Sequence, residues 1–178
     1  MNHAMIIGAT GITGGYILNE IGGREGWKVT GLCRNPPAEK PPANVRWIGV
    51  DLLDAQDARG KLAGLSDVTH IFFCGFIPLA PNEQHLPANG NVAPNLALLT
   101  NAVEPVAAAS KGLRHIQVMQ GTKYYGSHIG AFKTPAKEDD PRDAIPDRFA
   151  GARSPPGLRV RTRQRAEANE SVPVAPNR

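Results

Sequence analysis

Residues 3–15 read HAMIIGATGITGG: an apolar run, His3–Ile7, then Gly8, Gly11 and Gly14, then a helix-like pattern. This is a G-x-x-G-x-x-G turn between a strand and a helix, and each glycine has a separate physical reason. Gly8 lets the chain turn sharply as the strand ends. Gly11 has no Cβ, so a pyrophosphate can approach the backbone closely. Gly14 lets the following helix pack against the strand. The helix N-terminus then points unpaired N–H groups and a partial positive charge toward a phosphate. An isolated glycine triplet is a weak signal, and the strand–turn–helix setting at the start of the chain is what strengthens it. Gly8, Thr10, Gly11, Ile12 and Gly14 are therefore the expected dinucleotide-binding residues. The alternative is a tight turn that holds no ligand.

The rest of the chain alternates strand and helix. A helix is expected from about Thr13 to Ile21, with Ile17, Leu18 and Ile21 on one face and Gly22-Gly23 as its stop. Further strands are expected at Lys28–Cys33, Val45–Val50, Thr69–Cys74 and His115–Met119, with helices at about Ala55–Leu62 and from about Asn91. Ile71-Phe72-Phe73 is a continuous apolar run, as expected of a strand buried on both faces. Pro105 falls late in the last helix and is expected to kink it or end its regular part. The fold class that follows is α/β, a doubly wound, Rossmann-like parallel sheet of about five strands.

Composition limits the remaining choices. A length of 178 residues is about one domain, and 41% apolar content is enough for a core. No apolar run reaches the ~18 residues of a membrane span, and the first strand leaves no room for a basic region and apolar leader. A cytoplasmic protein is expected. Cys33 and Cys74 end strands and read as small buried hydrophobes in a reducing compartment, without Cys/His spacing for a metal. The net charge of +4 lies entirely in residues 142–178, which hold eight arginines and four acids. The remainder is neutral and carries no basic stripe, which argues against a nucleic-acid partner. Residues 142–178 are rich in Arg, Pro and Ala, with few large apolar side chains, and are expected to be disordered. The expected organisation is a nucleotide-binding domain over 1–141 and a tail over 142–178.

The end of the second strand bears on which dinucleotide would bind. An acid there would hold a ribose 2′-hydroxyl, but the sequence is Leu32-Cys33-Arg34-Asn35. Arg34 can pair with a 2′-phosphate in a bidentate fashion, which favours NADP(H). The competing reading is a solvated loop arginine. Asp51-Leu52, after the third strand, is the natural place for an adenine contact, although Asp51 could equally cap a helix.

After the fifth strand comes Gln120-Gly121-Thr122-Lys123-Tyr124-Tyr125-Gly126, continuing to Glu138-Asp139-Asp140-Pro141. With the glycine turn, this segment resembles the atypical short-chain dehydrogenase/reductases related to progesterone 5-beta-reductase and iridoid synthase. The likeness covers about residues 3–141. It implies NADPH-dependent reduction of enone or carbonyl substrates, with the family's catalytic lysine at Lys123. A lysine at the carboxyl end of a sheet strand can hydrogen-bond a nicotinamide ribose and lower the pKa of a nearby phenol. Without its flanking motif Lys123 reads as a solvated loop residue.

The family's catalytic tyrosine lies downstream, in an aromatic segment after the Glu-x-x-Pro region, and residues 142–178 contain no tyrosine. Tyr124 and Tyr125 do not occupy that position. The segment reads as a truncated or frame-shifted continuation. The expected partner is a small-molecule substrate, and the alternative function is a nucleotide-binding remnant without catalytic activity. His70 and His115 open strands and read as structural, while His128, close to Lys123, is a candidate ligand contact.

Overall fold

The structure, a computed structural model, describes residues 1–78 and 92–121, together with Thr134, Pro135 and Lys137. Its elements are β1 (Asn2–Ile7), α1 (Ile12–Ile21), β2 (Trp27–Cys33), β3 (Val45–Gly49), α2 (Ala55–Leu62), β4 (His70–Phe73), α3 (Val92–Ala109) and β5 (His115–Val118). The five strands form one parallel sheet in the order β3-β2-β1-β4-β5. The chain builds outward from β1 through β2 to β3, then crosses back to lay β4 on the other side of β1. The carboxyl ends of β1 and β4 therefore flank the point where the winding reverses, which is where open α/β sheets bind ligands.

Side chains alternate across the sheet, so β1 feeds both faces. Met5 and Ile7 join Leu32, Ile71 and Phe73 in a core with Ala58 and Leu62 of α2 and Ala102, Val103 and Val106 of α3. Ile6 points the other way, into a smaller core with Val29, Val45 and Leu18 of α1. Gly31 of β2 pairs with Trp47 of β3. A Cβ on Gly31 would lie 2.6 Å from the Trp47 ring, so the indole occupies the space a side chain would need.

Two expectations change. β4 is not buried on both faces: Ile71 and Phe73 are buried, whereas Phe72 is only half-buried. The α1 layer covers β1 and β2, and among the described residues no helix covers β4 and β5 on that side. Of the kink or end expected at Pro105, the end does not occur: α3 runs on to Ala109. A proline removes one backbone bond, but the buried face of Ala102, Val103 and Val106 holds that stretch to the sheet. No helix among the described residues is long and apolar enough to cross a membrane. The expected boundary at 141 and the expected disorder of 142–178 lie outside the described residues.

Candidate functional site

The glycine turn forms the upper end of β1. Gly8 has φ 73°, in the left-handed region, and a Cβ there would lie 3.0 Å from the backbone of Cys74 and Gly75. Both facts call for glycine. Gly11 caps α1 in an extended conformation, with its N–H donating to the Gly8 carbonyl at 3.0 Å. No side chain caps this helix, and its first turn holds no acid. A Cβ on Gly11 would meet only the Gly8 oxygen, at 3.3 Å, and otherwise project into open space. A Cβ on Gly14 would sit 2.3 Å from that same oxygen, so α1 rests directly on the turn. Thr10, Gly11 and Ile12 are exposed around the helix end. The result is an exposed helix N-terminus that, among the described residues, no side chain caps and no first-turn acid occupies.

The neighbouring strand ends complete the rim. The Cys74 N–H donates to the Ile7 carbonyl at 3.0 Å, carrying the β1–β4 pairing up to the turn. The Ala9 N–H donates to the Leu32 carbonyl at 3.3 Å. Arg34 directly follows β2, is exposed, and makes no ion pair among the described residues. Past β3, Asp51 Oδ1 accepts from the Leu53 N–H at 2.9 Å, and the Asp51 N–H donates to Asp57 Oδ2 at 2.8 Å. The cap of α2 is Asp54, whose carboxylate accepts from the Gln56 and Asp57 amides. The side chain of Leu52 is packed in the core beneath. Burial pushes the thiols of Cys33 and Cys74 up, away from thiolate chemistry.

No protein-family model matches the chain. Among curated proteins it is 33% identical over 153 residues to 3-oxo-Delta(4,5)-steroid 5-beta-reductase of Arabidopsis thaliana, covering 78% of this chain and 37% of that protein. It is 36% identical over 157 residues to (S)-8-oxocitronellyl enol synthase of Camptotheca acuminata, covering 81% and 38%. The chain belongs to the short-chain dehydrogenase/reductases of the progesterone 5-beta-reductase and iridoid synthase group. It spans little more than a third of the length of these curated relatives. Solved structures agree on the fold. A putative short-chain alcohol dehydrogenase from Burkholderia multivorans aligns with a TM-score of 0.56 at 16% identity, covering 74% of this chain and 68% of that one. UDP-N-acetylglucosamine 4-epimerase from Bacillus cereus aligns at 0.54 and 15%, covering 79% and 41%.

In this chain the glycine turn, Arg34 and Asp51 stand at the carboxyl ends of β1, β2 and β3, along one edge of the sheet. Lys123, Tyr124, Tyr125 and His128 lie outside the described residues. His70 and His115 start β4 and β5 at the far end, side by side in register with ring centroids 5.9 Å apart.

At that far end the structure also holds a polar chain that sequence reading missed. His3 is buried, with Nδ1 2.8 Å from Asp67 Oδ1 and Nε2 2.8 Å from the Thr30 hydroxyl. Arg46 Nε donates to the Thr30 oxygen at 2.9 Å, and Lys28 Nζ to Asp67 Oδ2 at 2.7 Å. A neutral imidazole with its proton on Nδ1 satisfies every member: Arg46 donates to Thr30, Thr30 to His3, and His3 to Asp67. Burial holds the His3 pKa below its ordinary value against the pull of Asp67. Lys28, and after it His3, hold the Asp67 carboxyl down at about 2.

Proposed function

We propose that this chain forms the NADP(H)-binding part of a reductase acting on enone or carbonyl substrates. One observation carries the cofactor reading. Among the described residues no side chain caps the N-terminus of α1, its first turn carries no acid, and a Cβ on Gly11 would meet only the Gly8 oxygen, at 3.3 Å. That is the arrangement a pyrophosphate needs, with backbone N–H donors and the helix dipole supplying its counter-charge. The preference for the 2′-phosphorylated dinucleotide rests on Arg34 at the β2 exit, where no acid is present to hold a 2′-hydroxyl. Asp51 and the backbone around Leu52, at the β3 exit, would line the adenine end. The name of one curated relative, a steroid 5-beta-reductase, supports a reductase.

When bound, the reduced nicotinamide supplies a hydride. The chain's own contribution is to hold the dinucleotide at the switch point and, through Lys123, to hydrogen-bond the nicotinamide ribose and bring positive charge toward a nearby phenol. Reduction of an enone also needs a donor to stabilise the developing oxyanion. Nucleotide binding without turnover is the second reading, favoured by the absence of tyrosine from residues 142–178. Following NADPH absorbance with 2-cyclohexenone separates the two. The lack of an oxyanion donor costs about two to three orders of magnitude in rate, so little or no turnover is expected from these 178 residues. Robust turnover abolished by Lys123→Ala would overturn that expectation and point to Tyr124 or Tyr125 as the donor.

A further inference from the structure

We propose that Asn95 is a positioning residue that fixes the wall of the crevice formed by the β4 exit. The helix α3 connects two parallel strands, so it runs back along the sheet, with its first turns at the carboxyl ends and its last at the amino ends. Three polar side chains on or just after it hold backbone of other segments. Asn95, near its start, accepts from the Ile77 N–H at 2.8 Å and donates from Nδ2 to the Ile77 carbonyl at 2.8 Å. Asn101 Nδ2 donates to the Leu52 carbonyl at 2.8 Å, at the β3 exit. Ser110, just past its end, accepts from the Val68 N–H and donates to the Leu65 carbonyl.

The Asn95 clasp holds a functionally placed segment. Residues 74–77 leave β4 directly beside the glycine turn: a Cβ on Gly8 would touch Cys74 and Gly75, and one on Gly75 would lie 3.2 Å from Ile7 Cγ2. A single amide side chain satisfies both the donor and the acceptor of Ile77, as a neighbouring strand would. β4 ends at Phe73, so this contact takes over from the sheet where the pairing stops. With Asn95 in place, the β4 exit is held against the turn before any ligand arrives, and binding need not order it.

This inference rests on the dinucleotide reading of the crevice. The test compares the wild-type chain with Asn95→Ala and, as a control just past the end of the same helix, Ser110→Ala. Three quantities are measured: NADPH affinity by calorimetry, Tm, and hydrogen exchange at the Ile77 amide. Asn95→Ala is expected to open Ile77 to exchange and to weaken NADPH about five-fold or more, the scale of one or two ordinary hydrogen bonds. Ser110→Ala, at the opposite end of the sheet, is expected to lower Tm and leave affinity unchanged. Asn95→Ala with unchanged affinity, or an Ile77 amide that exchanges without protection in the wild-type chain, overturns the inference. The exchange measurement does not depend on the variant folding. A wild-type chain that binds no NADPH instead overturns the dinucleotide reading, and this inference with it.

Discussion

Gly11 and Gly14 stand three residues apart at the start of α1, yet an added methyl should have opposite consequences at the two. On Gly14 the Cβ would lie 2.3 Å from the Gly8 oxygen, 2.8 Å from its carbonyl carbon and 3.0 Å from Ala9 Cα. All three are main-chain atoms of a turn pinned on its other side by β4, so the helix must retreat by roughly 1 Å to reach ordinary van der Waals separation. A gap of that size forfeits about a quarter to a half of each contact it opens. The contacts at risk join Leu18, Ile17 and Ile21 to Ile6, Val29 and Val45. Overpacking of this kind costs about 1–3 kcal/mol. The lost contacts add to that, and the better helix propensity of alanine returns about 1 kcal/mol. Gly14→Ala is therefore expected to lower the free energy of unfolding by about 2–3 kcal/mol, read as a lower urea midpoint at unchanged slope. On Gly11 the Cβ meets one atom at 3.3 Å, and the backbone is extended. Gly11→Ala should cost about 1 kcal/mol or less, chiefly from a poorer N-cap, while placing a methyl where the pyrophosphate would lie. Its signature is lost NADPH binding at nearly wild-type stability. A Gly14→Ala chain as stable as wild type, or a Gly11→Ala chain with full affinity, would refute the division of labour between the two glycines.

The buried His3 makes stability pH-dependent. Its folded pKa lies below the ordinary value of 6.5, so the unfolded chain takes up a proton that the folded chain refuses. That contribution is complete above 6.5 and falls as pH drops through it. His70 shifts in the same direction, through burial and then the charges of Arg114 and His115. Urea midpoints at pH 7.5 and 5.5 should therefore differ less for His3→Gln than for the wild-type chain, and an unchanged difference would remove the role given to His3. Asp67, held at about 2, stabilises the fold above its ordinary pKa and loses that effect only as pH falls toward about 2; Asp67→Asn should flatten the stability profile in that acid range. Gly31→Ala should cost about 1–3 kcal/mol, because the Trp47 ring fills the space beside it, and a neutral result in thermal unfolding would contradict that packing. Leu62→Ala, at a fully buried position between α2 and the sheet, should cost about 2–5 kcal/mol, and a loss below about 1 kcal/mol would show that the α2 layer is loosely packed.

What could be read from the sequence was what depends on neighbours in sequence. The glycine turn is legible because its three residues and the helix they open are adjacent. The strands are legible because apolar runs bounded by turns recur along the chain, and each lies within a residue or two of its expected limits. The burial of Phe72 was misjudged because an apolar run does not reveal which face of a sheet edge a helix covers. Pro105 reads in sequence as a kink or an end because its local cost is visible, and α3 continues past it because the buried face opposing that cost is not local. The His3 chain joins residues up to 64 positions apart, and the Asn95 clasp spans 18. Neither leaves a local pattern beyond an asparagine near the start of an otherwise apolar helix. Asp54 rather than Asp51 caps α2, a difference of three residues decided by where the helix begins.

We propose that the start of α1, with Arg34 at the neighbouring β2 exit, binds a 2′-phosphorylated nicotinamide dinucleotide. Calorimetric titration of the chain with NADPH and with NADH tests it directly. Saturable binding of NADPH, tighter than NADH, is expected, with the preference lost in Arg34→Ala. Equal or tighter binding of NADH would remove the role given to Arg34, and no saturable binding of either would contradict the claim itself.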